Sequence, residues 1–409
     1  MIPFSPPYIN QNVIDEVVES LQSGWITTGP KVKLLEQEIA KHIDIQNVLC
    51  VNSWTSGAIM ILRWLGLKEG DEVIIPAYTY SATALAVLHA GGKPVMVDVN
   101  DDFNMDPKKV KEAITKRTKA IIPVDFAGYP CNYNQLNKIA KDKSVKQLFN
   151  PTSKIQKKIN RILILSDAAH SLGATYKNKS IGHSADITIF SLHAVKNITT
   201  AEGGAIVLNM PTPFSNDDLY SELRRMTLNC QTKDAFTKSK GGNWRYDITG
   251  LGMKINMADI NAAIGLAQIR EYPKLLERRK LIFTKYLDAF KKLDWTILPS
   301  IKDEDRESSC HLFPLRISSI TEDQRDLIID EISKLGISVN VHFIPLPMLT
   351  FFKELKYDIK DYPLAYKNYA SEISLPIYPQ LNDNQVDKII HVVLNSYKKV
   401  IPNPIVKTH

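Results

Sequence analysis

Phe190-Ser191-Leu192-His193-Ala194-Val195-Lys196-Asn197-Ile198-Thr199-Thr200-Ala201-Glu202-Gly203-Gly204 puts a lysine in a polar loop just past an apolar run, with two glycines downstream. The run itself, Asp186-Ile187-Thr188-Ile189-Phe190, reads as a buried strand ending before Ser191. An unperturbed lysine amine titrates near 10.4 and is a poor nucleophile at neutral pH. Partial burial and cationic neighbours lower that value and permit condensation with an aldehyde. A surface lysine is the plainer reading of the residue alone. Its place at a strand's carboxyl end is where α/β sheets hold their ligands.

Upstream, Ile162-Leu163-Ile164-Leu165 is a second buried-type strand, ending in Ser166-Asp167-Ala168-Ala169-His170-Ser171-Leu172-Gly173. A carboxylate at that point can keep a pyridine nitrogen protonated, and the small Ala168 and Ala169 let a flat ring approach. Asp167 as a plain helix cap and His170 as a satisfied structural histidine are equally open. Asn52-Ser53-Trp54-Thr55-Ser56-Gly57-Ala58 opens a helix over 53–66, and hydroxyls with free N–H groups there make an anion site or merely cap the helix. Tyr80, in Pro76-Ala77-Tyr78-Thr79-Tyr80-Ser81, is placed either to stack on a ring or to pack in the core.

Around these segments helical and strand patterns alternate, which argues for an α/β fold with a mostly parallel sheet. Helices are expected over 10–23, 31–43, 80–90 and 106–115, and strands over 72–75, 93–98 and 120–124. Residues 142–160 are polar and read as an irregular excursion. One or two long helices over 257–290 lead to a different order: strand near 309–316, helix 322–335, strand 337–341, helices 362–371 and 383–399. A chain of 409 residues exceeds what one core usually serves, so two domains are expected, 1–270 (large, α/β) and 271–409 (smaller, α+β).

Net charge is +7 with both signs interspersed, and no basic, aromatic-interleaved stretch suggests nucleic acid as a partner. Four scattered cysteines show no metal spacing and suit free thiols in a reducing compartment. No apolar run approaches the ~20 residues of a membrane span, and the N-terminus lacks a signal-peptide pattern. A cytoplasmic protein is expected.

Taken in order, these segments resemble the DegT/DnrJ/StrS-type nucleotide-sugar aminotransferases, as do Ser23-Gly24-Trp25-Ile26-Thr27-Thr28-Gly29-Pro30, Gly70-Asp71-Glu72-Val73-Ile74-Ile75-Pro76, Met257-Ala258-Asp259-Ile260-Asn261-Ala262-Ala263-Ile264-Gly265 and Ser374-Leu375-Pro376-Ile377. The resemblance covers nearly the whole chain. It implies a fold type I subunit with a seven-stranded type of sheet, a pyridoxal 5'-phosphate cofactor and a homodimer with shared active sites. It implies Lys196 as the Schiff-base lysine and Asp167 as the pyridinium partner. Tyr80 becomes the stacking aromatic, and Thr55, Ser56 and Ser191 the phosphate hydroxyls, with His170 near the ring. Trp25, Thr28, Arg245 and His342 are candidate substrate contacts.

Some positions depart from the family pattern. Trp54 stands where glycine is usual and Leu192 where phenylalanine is common. Gly252-Met253-Lys254-Ile255-Asn256-Met257 replaces Gly-Tyr-Asn-Tyr-Arg-Met, leaving Lys254 or Asn256 to reach the neighbouring subunit's cofactor phosphate. The implied reaction passes an amino group from glutamate to a nucleotide-diphosphate-linked ketosugar. A 4-keto-6-deoxyhexose, carried as a dTDP-sugar and destined for O-antigen or lipopolysaccharide, is the expected acceptor; a 3-keto sugar suits the same chemistry. A sugar dehydratase of this fold carries histidine in place of the lysine, and a non-catalytic regulator needs neither Lys196 nor Asp167.

Overall fold

Short strands of four or five residues build the central sheet: β1 (Val48–Val51), β2 (Glu72–Pro76), β3 (Lys93–Val97), β4 (Thr118–Ile121), β5 (Leu163–Asp167), β6 (Ile187–Ser191) and β7 (Gly204–Leu208). The structure, a computed structural model, describes residues 1–233 and 244–402. Across the sheet the order is β1-β7-β6-β5-β4-β2-β3, parallel throughout except for β7, which runs antiparallel to both neighbours.

Their near-continuous apolar runs follow from burial on both faces. Leu163 and Leu165 enter one core with Val73 and Ile75, while Ile162 and Ile164 enter the other with Ile74 and Ile121. Each such fully buried side chain contributes roughly 1.5–3 kcal/mol relative to exposure.

Parallel strands end on one edge of a sheet. Asp167, at the end of β5, lies opposite Ile189, two residues before Ser191 ends β6, so both strand ends open on the same edge. Antiparallel β7 starts where β6 ends, with Gly204 opposite Ser191, and β1 ends at the same level, with Val51 opposite Gly204. The chain leaving β1 turns at Ser53 into the helix Trp54–Trp64. Topology alone thus gathers four separate segments at one edge.

A single helix, Asp259–Phe290, runs from this sheet to a second core and contains Pro273. Its residues up to Leu275 pack with the sheet, and those from Ile282 onward with a three-stranded antiparallel sheet, β8 (Thr296–Ile297), β9 (Phe313–Ile317) and β10 (Glu372–Leu375). The helices Glu322–Lys334 and Asp383–Val400, each opened by a capping box, cover that sheet. Among the described residues no helix is long and apolar enough to cross a membrane.

The structure corrects three local expectations. Residues 142–160 are not irregular: Asp142 and Ser153 cap two short helices, Lys143–Leu148 and Lys154–Ile159. Gln156, polar in the sequence, is fully buried and bonds to the Leu65 and Gly66 carbonyls. The expected strand 337–341 is two isolated bridges, Ile337 to Ile2 and Asn340 to Ser374, because each end pairs with a different partner. The strand expected over 120–124 is Thr118–Ile121; Ile122 N–H still donates to Ile74 O at 2.8 Å, Pro123 has no ring-nitrogen proton to donate, and an isolated bridge then joins Val124 to Asp167.

Candidate active site

At the gathered edge lies a cavity of ≈ 430 Å³ whose wall includes Thr55, Tyr80, Asp167, His170, Ser191, Lys196 and His342. Lys196 sits in a loop held at both ends. Leu192 N–H donates to Gly203 O and Thr200 N–H to Leu192 O. The long helix braces the loop through Gln268, which accepts from Thr199 N–H at 2.8 Å, and Asn261, which donates to Thr200 O at 2.8 Å. The lysine keeps a little solvent contact through the cavity mouth, yet protein surrounds it. Burial holds its amine down to about 8, against the opposing pull of Asp167.

Asp167 is buried. Its Oδ2 accepts from Thr83 Oγ1 at 2.9 Å and its Oδ1 from Ala169 N–H at 3.2 Å. Thr83 is itself paired with Thr79 at 3.0 Å. Burial raises the carboxyl to about 7, against the lowering effect of those two hydrogen bonds and of Lys196. The neighbouring Asp125 adds to the rise, and is itself raised to about 6 by burial. A buried acid held this way is stabilised as an anion by a cation brought against it.

At the turn after β1, Ser53 Oγ accepts from Ser56 N–H at 3.0 Å and pairs with Ser56 Oγ at 2.9 Å. Ser56 therefore serves the helix cap and does not line the cavity, whereas Thr55 does. The first N–H groups of this helix add the favourable end of its dipole. Gly204 is required here: a Cβ on it would meet Ser53 C and Trp54 N at 2.8 Å. Tyr80 is 63% exposed and its ring lies 5.8 Å from that of Phe343, so it borders the cavity instead of packing in the core.

Three histidines face the same space. His170 Nδ1 accepts from Ala127 N–H at 3.3 Å, and its ring lies 4.4 Å from that of His311. His311 Nδ1 pairs with Asn197 Oδ1 at 2.9 Å; because Asn197 Nδ2 donates to Tyr272 and to Ser309 O, its Oδ1 is the acceptor. His342 pairs with Ser374. Burial, with Lys196 alongside, lowers His170 and His311 well below the usual histidine range and His342 to about 3, so all three are neutral.

The remaining expected residues do not line this cavity. Trp25 Nε1 donates to Thr28 O at 3.2 Å, and Thr28 Oγ1 donates to Met257 O at 2.5 Å while accepting from Asn256 Nδ2. Asn256 also bridges to Val51 at the end of β1. Lys254 is exposed beside it, and Arg245 is exposed, stacked 5.2 Å from the Trp244 ring. Thr83, His311 and Phe343 line the cavity without having been singled out in the sequence. Nothing in the local pattern marks them, since each is brought in by long-range packing.

This inventory fits pyridoxal phosphate on observed grounds. A lysine with a lowered amine and an acid needing a cation share one wall, hydroxyls and a helix N-terminus lie at one end, and an aromatic lies at the border.

Comparison with known proteins agrees. The model of the DegT/DnrJ/EryC1/StrS aminotransferase family matches residues 7–394. The chain is 44% identical to the Streptococcus pneumoniae protein Spr1654, described as a sugar aminotransferase, whose PMP-form superposes with a TM-score of 0.94 over 98% of this chain and 100% of that one. It is 37% identical to protein MJ1066 of Methanocaldococcus jannaschii over 97% of this chain and 98% of that one. It is 33% identical to the spore coat polysaccharide biosynthesis protein SpsC of Bacillus subtilis, over 97% of each.

Proposed function

The chain belongs to the DegT/DnrJ/EryC1/StrS aminotransferase family, and within it we propose that the enzyme transfers the amino group of glutamate to a nucleotide-diphosphate-linked 4-keto-6-deoxyhexose. The product is the 4-amino-4,6-dideoxy sugar, used for a surface polysaccharide such as an O-antigen or lipopolysaccharide. One observation carries the chemistry: Lys196 and Asp167 line one cavity and act on each other electrostatically. The likeness to a sugar aminotransferase and to a polysaccharide biosynthesis protein supports the substrate class.

Pyridoxal phosphate supplies an electron sink and carries the amino group between the two substrates. Lys196 would hold it covalently through Nζ. Once free, its Nζ would be the base that takes the proton from the donor's Cα and hands it to the cofactor side, and in the second half the group that carries a proton back to the sugar carbon that gains nitrogen. Asp167, as the anion, would keep the ring nitrogen protonated. Thr55, Ser191 and the N-terminus of Trp54–Trp64 would hold the phosphate, Tyr80 would stack on the ring and His170 would contact it.

Lys254 and Asn256, outside their own chain's cavity, reach the partner's phosphate in a homodimer. Trp25, Thr28 and Arg245 meet sugar nucleotide at the partner's cavity, and His342 at its own. The apolar stripe Ile14, Val18 and Leu21 on the helix Gln11–Gln22 supports such a dimer, being 47%, 41% and 54% exposed in the single chain. The four buried free cysteines suit a reducing, cytoplasmic setting.

The test is to incubate purified protein and glutamate with dTDP-, UDP- and GDP-linked ketosugars and read products by mass spectrometry. The 4-amino sugar nucleotide is the expected product. Amination of none of them would overturn this reading.

A further inference from the structure

Behind His342 lies a buried carboxyl group that the chemistry above does not use. His342 Nδ1 is 2.9 Å from Ser374 Oγ, the Ser374 hydroxyl bonds to Glu372 Oε1, and Glu372 Oε2 accepts from the His342 backbone N–H at 2.9 Å. Glu372 is 0% exposed and forms no ion pair among the described residues. Its charged neighbours are engaged elsewhere. Arg325, from the helix Glu322–Lys334, donates to the Tyr369 and Glu372 main-chain carbonyls, and Arg316, from β9, to Asn368 Oδ1. Tyr78, from the turn after β2, donates to His342 O. On the cavity side the Lys196 charge acts on His342, and its ring stacks 5.4 Å from that of Phe4.

A serine hydroxyl has one proton, so the direction of this chain of bonds depends on the glutamate. When Glu372 is ionised it accepts a hydrogen bond from the Ser374 hydroxyl. Ser374 Oγ must then accept from His342 Nδ1–H, and Nε2 is left as a bare lone pair. When Glu372 is protonated it donates to Ser374, Ser374 donates to Nδ1, and Nε2 carries the hydrogen. A neutral imidazole has only these two forms. Burial pushes Glu372 up to about 8, against the lowering effect of Ser374 and the His342 N–H, so the second form prevails at neutral pH.

We propose that Glu372, acting through Ser374, makes His342 an Nε2–H donor, and that this N–H binds the carbonyl oxygen of the amino-accepting substrate. The inference rests on the ketone-amination reading. It adds Glu372 and Ser374 as positioning residues that act through His342.

Two readouts test it. The first needs no substrate: ¹⁵N chemical shifts of the histidine ring nitrogens, with His342 assigned from a His342→Gln variant. Wild type should show Nε2–H at about pH 6.5 and Nδ1–H at about pH 9.5. In Glu372→Gln the amide oxygen stays on the His342 N–H and the amide NH₂ faces Ser374, so Nε2–H should persist at both pH values. In Ser374→Ala, the variant to use if a buried glutamine prevents folding, the tautomer should stop following pH between those limits. A single wild-type tautomer throughout, or a variant that follows wild type, overturns the proposal.

The second readout is the half-reaction with the carbonyl substrate. Its kcat/KM should fall about tenfold per pH unit above about 8 in wild type and lose that limb in Glu372→Gln, while the glutamate half-reaction keeps its profile in both. Parallel profiles for the carbonyl substrate would also overturn the proposal. A protein that aminates no ketone would end the functional reading, yet the tautomer measurement would still decide whether the relay exists.

Discussion

Lys196 and Asp167 are shifted toward each other, the amine down to about 8 and the acid up to about 7. Desolvation is the leading cause for both, so neither gains much from its charge until a cofactor arrives. The attacking species is the neutral amine, and its fraction rises with pH until the amine has lost its proton. The rate of covalent attachment of pyridoxal phosphate to the cofactor-free protein should therefore climb up to about pH 8 and level off above it. Stopped-flow absorbance reads this directly, and a rate still climbing toward the ordinary lysine value would show the amine to be unperturbed. Lys196→Ala should show no lysine-imine band, whatever pyridoxal phosphate it still holds as the aldehyde.

Thr83 acts one step behind. Its 2.9 Å hydrogen bond favours the Asp167 anion, and Thr83→Val keeps the shape while removing the donor. If that anion meets the ring, the loss is about 1–2 kcal/mol of its stabilisation, or roughly a 5- to 30-fold weaker pyridoxal phosphate affinity by equilibrium dialysis. Unchanged affinity would assign Thr83 to the core alone.

Strand ends carry this site, and that is why so much of it was legible. Asp167 and Lys196 each follow an apolar run, and in a parallel sheet the ends of such runs meet by topology. What a linear pattern does not reveal is contact across the sheet. Four-residue β1 and antiparallel β7 leave weak signals, and Gln156 looks solvated until its carbonyl partners at Leu65 and Gly66 are known. His311 stands alone in its segment, and only folding brings it within 4.4 Å of His170.

Gly204 shows the same limit. In the sequence it is half of a Glu-Gly-Gly turn; in the fold it is the point where β7 passes under the helix Trp54–Trp64. A methyl group there would press on backbone atoms of Ser53 and Trp54 at 2.8 Å, which no rotamer change relieves. Gly204→Ala should displace that helix's N-terminus, at a cost of about 1–3 kcal/mol in thermal unfolding. It should also weaken pyridoxal phosphate more than pyridoxal, because only the former carries the phosphate. Equal weakening of both ligands would place the strain away from the phosphate end.

At the scale of the molecule, the long helix ties the site to the rest. Gln268 and Asn261 brace the Lys196 loop, and beyond Pro273 the same helix enters the second core, so the boundary expected at residue 270 falls inside a continuous element. One chain nevertheless leaves Lys254, Asn256, Trp25 and Arg245 off its own cavity wall. If those residues complete a partner's cavity, two different defects on separate chains can compensate.

Chains carrying Lys196→Ala would then be inactive for want of the amine, and chains carrying Lys254→Ala with Asn256→Ala for want of the groups donated across. Mixed, dissociated and reassociated, they form hybrids in which one cavity holds both defects and the other holds neither. Half the dimers of a random mixture are hybrids with one sound cavity each, so activity should return to about a quarter of wild type. No recovery, with hybrids verified by mass, would mean that each chain builds its cavity alone. In that case residues 254 and 256 would only support the turn after β1, to which Asn256 is joined through Val51.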